Sequence, residues 1–258
     1  MSLHRFFVTA PLPAAATGGW PVPLSDADLH HLAHVLRLAP GSRVVLAGPD
    51  GRVAEAVLRE MGPGGVTADV GEPRPGARHP RVALAQGLTR RERMELAIAK
   101  STEIGVAEII PVAFARSVVR LDEGRARARV ERWGRIAEEA AKQSQRAEVP
   151  LVRDTTGLAG LIEAARGFDV VLVPWEEDAG AAPGIGQALE AAGAAADPSV
   201  LVVIGPEGGL EASEVAALEA AGARRVSLGD TILRTETAAV VATALALYSL
   251  GGLGGRGR

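Results

Sequence analysis

The sequence predicts an α/β protein with a mainly parallel sheet, preceded by a small β-barrel. Three observations predict it. Strand-like and helix-like patterns alternate from residue 81 onward, the signature of parallel βαβ units. A run such as "VLVVI" at 200–204 is apolar at every position, as a strand covered on both faces must be. The stretch "GEPRPGARHP", residues 71–80, holds three prolines and two glycines and interrupts every periodic pattern. The domain boundary belongs there: residues 1–72 form the barrel, 78–250 the α/β domain, and the glycine-rich 251–258 a flexible tail.

Taken in order, "HRFFV" reads as a strand. Ser25 followed by Asp28 caps a helix over "DADLHHLAHVLRL", with Leu29, Leu32, Val35 and Leu36 on one face. "SRVVLAGPDGRVAEAVL" is a hairpin turning at Pro49-Asp50-Gly51. Beyond the linker come "RVALAQGL" as strand, "RRERMELAIAKSTEIG" as helix and "AEIIPVAF" as strand. In the long helix "RARARVERWGRIAEEAAKQSQRA", Val130, Trp133, Ala137, Ala140 and Ser144 form one stripe beneath an arginine-studded face. "LVRDT" is a short strand and "LAGLIEAARG" a helix; "DVVLVPW" is a strand, "IGQALEAAG" a helix and "PSVLVVIGP" a strand. "EASEVAALEAAG" is a helix, "ARRVSLG" a strand, and a last helix runs to Leu250.

Composition excludes several classes. A chain of 258 residues is long enough for a sizeable core. With no cysteine there is neither a disulfide scaffold nor a thiolate metal site, and a reducing cytoplasm is the expected compartment. The opening "MSLHRFFVTAPLP" lacks a signal-peptide pattern, and the longest apolar run, 238–247, is broken by Thr243 and too short to span a bilayer. Net charge is −3, yet residues 78–153 carry +6 and the remainder −9, so a basic middle third sits in an acidic protein. The 26 arginines against 2 lysines reflect overall usage and carry no weight by themselves.

Chemistry concentrates at two places. In "VLVVIGPEGGL", residues 200–210, a buried strand enters a glycine-rich turn, where open α/β sheets bind ligands. The turn lacks a Gly-Lys-Ser/Thr ending and GxGxxG spacing, and Glu207 would repel phosphate; a tight turn with positive φ at Gly208 or Gly209 explains it equally well. In "SLGDTILRTETAAVV", residues 227–241, Thr235 or Thr237 can cap the last helix and Glu236 complements its dipole, which leaves Arg234 unexplained. His30 and His34 share a helix face, but with no HExxH register and no third ligand they predict no metal site. Lys100 and Glu103 read as a surface pair.

Together, "HRFF", "HHLAHVLR", "KSTEIGV", "RS", "EEAAKQSQR…VP", "IGPEGGL" and "SLGDTILRTETA", in this order, resemble the RsmE family. These are S-adenosyl-L-methionine-dependent methyltransferases acting on N3 of a uridine of 16S rRNA in the 30S ribosomal subunit, at the position usually numbered 1498. The resemblance spans almost the whole chain. It implies a PUA-like RNA-binding barrel, then a trefoil-knotted SPOUT methyltransferase domain, a homodimer, and no membrane or metal. It also implies a cofactor held between three loops: Val173 and Pro174; Ile204, Gly205, Pro206, Glu207, Gly208 and Gly209; and Leu228, Gly229, Ile232, Leu233, Thr237 and Ala238. The "PWEED" that follows the first strand carries no family signature. Arg234 is then expected to stabilise a uridinate oxygen, and Glu236 to orient Arg234 or to accept a hydrogen bond from the cofactor. Arg5, Arg37, Arg90, Arg91, Lys100 and Arg116 are the expected RNA contacts. Three alternatives stand beside this reading. They are a knotted methyltransferase acting on another RNA base or position, a non-catalytic RNA-binding protein keeping the fold, and a nucleotide hydrolase.

Overall fold

The computed structural model describes residues 3–62, 64–77, 79–118, 123–178, 182–193 and 197–254. They divide into two compact units. The described residues up to 77 with 141–148 make one, and those of 79–140 with 149–254 make the other.

The first unit contains β1 (His4–Phe7), β2 (Ala16–Pro21), α1 (Asp26–His30), β3 (Arg43–Ala47), β4 (Arg52–Gly62), β5 (Gly65–Val70) and β6 (Arg74–Pro75). The sheet runs β1-β3-β4-β5-β2 with β6 on β4, antiparallel except for the β1/β3 pair. Phe6, Leu32, Leu46 and Leu58 fill its core. The β3–β4 hairpin turns where the sequence places it, with Gly51 at φ +72°.

Ser25 caps α1 by accepting from the Asp28 N–H at 3.1 Å. The helix then widens into a π-helical segment, His31–Val35, closed by Leu36 N–H donating to His31 O at 2.9 Å. This shift corrects one expectation. The wider turn rotates Val35 off the apolar face and leaves it 60% exposed, while Leu32 stays buried.

Residues 141–148 were expected inside the α/β domain, yet they pack with the first unit. Lys142 Nζ lies 2.5 Å from Asp28 Oδ1, Arg5 Nη1 donates to Arg146 O at 2.5 Å, and Gln145 Nε2 donates to Leu3 O at 3.2 Å.

The second unit contains β7 (Val82–Gly87), α2 (Arg91–Ile104), β8 (Glu108–Ala113), α3 (Glu123–Gln143, its last three residues in the first unit), β9 (Leu151–Val152) and β10 (Thr156–Gly157). After these come α4 (Leu158–Ala165), β11 (Val170–Pro174), α5 (Ile185–Ala191), β12 (Val200–Ile204), α6 (Ala212–Ala220), β13 (Arg224–Val226) and α7 (Thr235–Ser249). Seven parallel strands run β10-β8-β7-β12-β11-β13, with β9 beside β8.

Alternate residues of each central strand point to opposite cores, as the period of two requires. Leu84, Ile109, Leu172 and Val202 meet Met94, Trp133, Ala137, Ile185 and Ala242 of α2, α3, α5 and α7. Ala85, Ile110, Val171 and Val203 meet Leu161, Val215 and Leu218 of α4 and α6. Both faces are therefore covered, which is why Val200–Ile204 has no polar residue.

The expected flexible tail begins as structure. Gly252 N–H donates to Leu247 O at 2.7 Å and Leu253 packs on the core, because the apolar face of α7 extends past its last turn. Residues 255–258 lie outside the described residues.

Candidate active site

All strands of the second sheet are parallel, so the loops leaving β7, β11, β12 and β13 emerge at one edge. Register aligns them closely, with Ile204 opposite Gln86 and Pro174 opposite Val226. The loop after β12 turns back sharply, Gly209 N–H donating to Pro206 O at 2.9 Å with Gly209 at φ +72°. Gly209, rather than Gly208, takes the left-handed conformation. A methyl group on Gly87 would stand 2.5 Å from Pro206 N, so β7 and this turn are in backbone contact.

The segment after β13 brings the third loop in. It leaves the outermost strand and ends at α7, which packs on β7 and β12. Its arrival is fixed by a short chain of hydrogen bonds: Gln86 Nε2 donates to Thr235 Oγ1 at 2.9 Å, and that hydroxyl donates to Gly205 O at 2.6 Å. The Thr235 hydroxyl, one of the two expected to cap the helix, is thus spent across the sheet edge, and Arg234 is the N-cap residue, without a side-chain cap bond.

Two adjoining clefts result, of about 450 and about 730 Å³. They share Pro174, Glu176, Ile232, Leu233 and Ala238. Trp175, Leu228 and Gly229 line the smaller; Ile204, Gly205, Pro206, Glu207, Gly209 and Arg234 line the larger. The three loops anticipated from the sequence therefore converge on one continuous depression. Ile232 stands 84% exposed at its mouth, and the buried Trp175 indole N–H has no partner among the described residues.

Three anticipated residues are placed differently. Val173 is fully buried in the core, one residue short of the opening. Gly208 packs against the Arg116 side chain. Thr237 is exposed and outside the residues lining either cleft, because α7 starts at Thr235 and a turn of about 100° per residue brings 235 and 238 inward instead.

Charge at the larger cleft is organised around Arg93. Its Nη1 lies 3.5 Å from Glu207 Oε1 and its Nε 4.0 Å from Glu236 Oε2. Glu207 Oε1 also accepts from the Arg90 N–H at 3.1 Å. Burial alone would raise the Glu207 carboxyl. The nearby Thr89 hydroxyl, the Arg90 N–H, its own backbone N–H and the Arg93 charge outweigh burial and hold it below the usual carboxylate range.

Of the expected RNA contacts, Arg90, Arg91 and Arg116 lie at this edge: Arg91 pairs with Glu95 at 2.9 Å and Arg116 Nη1 donates to Gly208 O at 3.2 Å. Lys100 pairs with Glu103 at 2.8 Å, further along α2. Arg37 is exposed in the first unit at φ +51°. Arg5 is half-buried there, its guanidinium engaged with Arg146 O. Among the described residues no group of acidic, histidine or cysteine side chains is arranged to hold a metal; His30 and His34 stack on each other at 4.5 Å. Nor is any described helix long and apolar enough to cross a membrane.

Residues 77–247 match the family model of an RNA methyltransferase domain, and residues 24–71 that of an RNA methyltransferase PUA domain. The chain is 34% identical over 227 residues to the ribosomal RNA small subunit methyltransferase E of Bacillus subtilis, covering 87% of this chain and 89% of that one. The chain belongs to the ribosomal RNA small subunit methyltransferase E family. With the Mycobacterium tuberculosis member it shares 38% identity over 218 residues, 82% of this chain and 80% of the relative. The crystal structure of the Neisseria gonorrhoeae methyltransferase E bound to S-adenosyl methionine matches with a TM-score of 0.79 at 27% identity, covering 94% and 96% of the two chains.

In this member of the methyltransferase E family, motif reading found the two C-terminal loops but missed Gln86, Gly87, Arg93 and Glu176. Gln86 carried a signal: it is the one polar side chain in a strand buried at all six positions. Glu176 carried none. Its carboxylate lies over Gly209, close enough that a methyl group there would meet Oε1 at 2.1 Å.

Proposed function

We propose that this chain is a cytoplasmic methyltransferase that uses S-adenosyl-L-methionine to modify N3 of a uridine in 16S rRNA of the small ribosomal subunit. The observation that carries the reading is the convergence of three loops, after β11, β12 and β13, on one cleft with Arg234 at its rim. The lining suits such a cofactor. Ile232, Leu228 and Ala238 offer an apolar surface, Gly205 and Gly209 bring main-chain groups close, and the Trp175 N–H is a buried donor awaiting an acceptor.

When bound, S-adenosyl-L-methionine supplies an electrophilic methyl group; the protein's part is alignment and charge management. Uridine N3–H is a weak imide acid and must lose its proton, passed to solvent water, before N3 can attack. A guanidinium is a planar hydrogen-bond donor with no acceptor, so the role of Arg234 is to stabilise negative charge on a uracil carbonyl oxygen. Glu236, its carboxylate 4.0 Å from Arg93 of α2, would tie the start of α7 to that helix beside Arg234.

The same reading makes the C-terminal segment a trefoil knot. It is supported by residues 227–234 returning from the outermost β13 to the β7 and β12 side of the sheet. A homodimer is supported by Leu96, Leu245 and Tyr248, apolar side chains left exposed on the mutually packed α2 and α7. The PUA unit and the Arg90, Arg91 and Arg116 edge would hold the rRNA backbone, with the target base unstacked.

The test is labelled methyl transfer to 30S particles and to naked 16S rRNA, followed by mapping of the modified base. Label at uridine N3 supports the proposal. Label at another base or atom, or none on either substrate, overturns it.

A further inference from the structure

Gln86 is fully buried in β7, a central strand paired on both sides, among residues that are otherwise apolar or glycine. Its Nε2 donates to Gly87 O at 3.1 Å and to Thr235 Oγ1 at 2.9 Å, while its Oε1 is buried with no hydrogen-bond partner among the described residues. A buried amide with an orphan oxygen is a poor way to stabilise a strand, since an apolar side chain of the same length would carry no polar atom of its own to leave unsatisfied. Its presence calls for a reason other than packing.

The direction of its hydrogen bonds supplies one. Gly87 O can only accept, so the amide must present its N–H pair on that side, and Thr235 Oγ1 must accept from it. The one proton of the Thr235 hydroxyl is then committed to Gly205 O, 2.6 Å away. Three elements are tied in a fixed polarity: the end of β7, the glycine turn after β12, and the first residue of α7. Arg234 immediately precedes that residue and has no side-chain cap bond to hold the helix start by another route.

We infer that Gln86 is a positioning residue for the methyl-transfer reaction. Through the Thr235 hydroxyl it sets where Arg234 and the Gly205 turn stand relative to each other. The inference rests on the proposed function for its catalytic half, whereas its structural half concerns only the anchoring of α7. Gln86 reaches the reacting groups through Thr235 and touches none of them, so its loss affects turnover more than cofactor affinity.

The test compares full-length wild type with Gln86→Met, Thr235→Val and Thr235→Ser. The readouts are methyl transfer to 30S particles, S-adenosyl-L-methionine binding by calorimetry, thermal melting, and amide exchange at residues 238–240. Gln86→Met and Thr235→Val are each expected to lower kcat about tenfold or more, with cofactor Kd within about threefold; Tm holds in Gln86→Met, which removes the orphan oxygen, and falls modestly in Thr235→Val, which strands a Gln86 N–H. The double variant loses no more than either single one, because both cut the same relay. Thr235→Ser, which keeps the hydroxyl, retains most of the rate, and amides 238–240 lose protection in the Met and Val variants only.

A Gln86→Met protein with wild-type kcat overturns the inference, as do rate losses that add and follow a fall in Tm. Should Gln86→Met not fold, the contrast between Thr235→Val and Thr235→Ser decides, and equal rates in the two overturn it. If wild type itself transfers no methyl group, the proposed reaction has failed separately. Exchange then decides the anchoring: lost protection in Gln86→Met supports it and unchanged protection ends it.

Discussion

The main-chain N–H of Arg90 donates to the carboxylate of Glu207 at 3.1 Å. The turn after β12 thereby caps α2, a helix whose own N-cap residue offers no side-chain acceptor. The acidic residue in a glycine-rich loop, poorly suited to phosphate, is explained by this contact. It satisfies an orphan helix donor, complements the positive end of α2 and faces Arg93.

Glu207→Gln is expected to destabilise the protein by about 1–2 kcal/mol at neutral pH, since the neutral amide keeps an acceptor but loses the charge. The folded-state pKa lies below the unfolded value. The carboxylate's contribution is therefore fully present above the unfolded pKa of about 4.3 and is lost as pH falls through the lower folded value. Urea unfolding of both proteins at pH 7 and at progressively lower pH checks this. The gap between them narrows in acid, and a constant gap contradicts it.

Arg234→Ala removes the cation at the cleft rim and leaves the apolar and glycine lining intact. Turnover on 30S particles is expected to fall about 100-fold or more, with S-adenosyl-L-methionine affinity within a few-fold of wild type. Parallel losses in kcat and affinity would place Arg234 in cofactor binding instead.

Gly87→Ala puts a methyl group 2.5 Å from Pro206 N and 2.8 Å from Gly205 C, both backbone atoms that cannot step aside alone. The glycine turn must shift, costing about 1–3 kcal/mol of stability and weakening cofactor binding about tenfold or more. Gly62→Ala, with no atom within 4 Å of the added carbon, is the control for both measurements.

Of the three tryptophans, Trp133 is buried in the core, Trp20 lies in the first unit, and Trp175 lines the cleft with the Arg225 guanidinium 5.7 Å from its ring. Titration with S-adenosyl-L-methionine is expected to change tryptophan emission saturably, and Trp175→Phe to abolish the change. A signal surviving in that variant places the ligand elsewhere.

Arg90 and Arg116 are exposed on either side of the Glu207-Gly208 turn. Replacing either with alanine should weaken rRNA binding similarly across sequences and reduce the salt slope of log Kd by about one each. Filter binding from low to high salt measures both.

Features that depend on near neighbours are legible in the order of residues. The alternating strands and helices of the second unit, the Ser25 cap, the Gly51 hairpin and the glycine turn at 205–209 all follow from side-chain period or from a conformation only certain residues adopt. Motif resemblance added the convergence of the three loops, which periodicity does not contain. Which polar groups meet follows from packing between distant segments. Arg90 and Glu207 are 117 residues apart, and Gln86 and Thr235 are 149 apart. Strand order brings each pair to one sheet edge, and no local pattern encodes that order. The same holds for Val35, turned outward by a π-helical shift, and for residues 141–148, which leave the domain that surrounds them in sequence. Local propensity acts over a few residues. A buried hydrogen bond is decided by whichever partner the packed chain delivers to it.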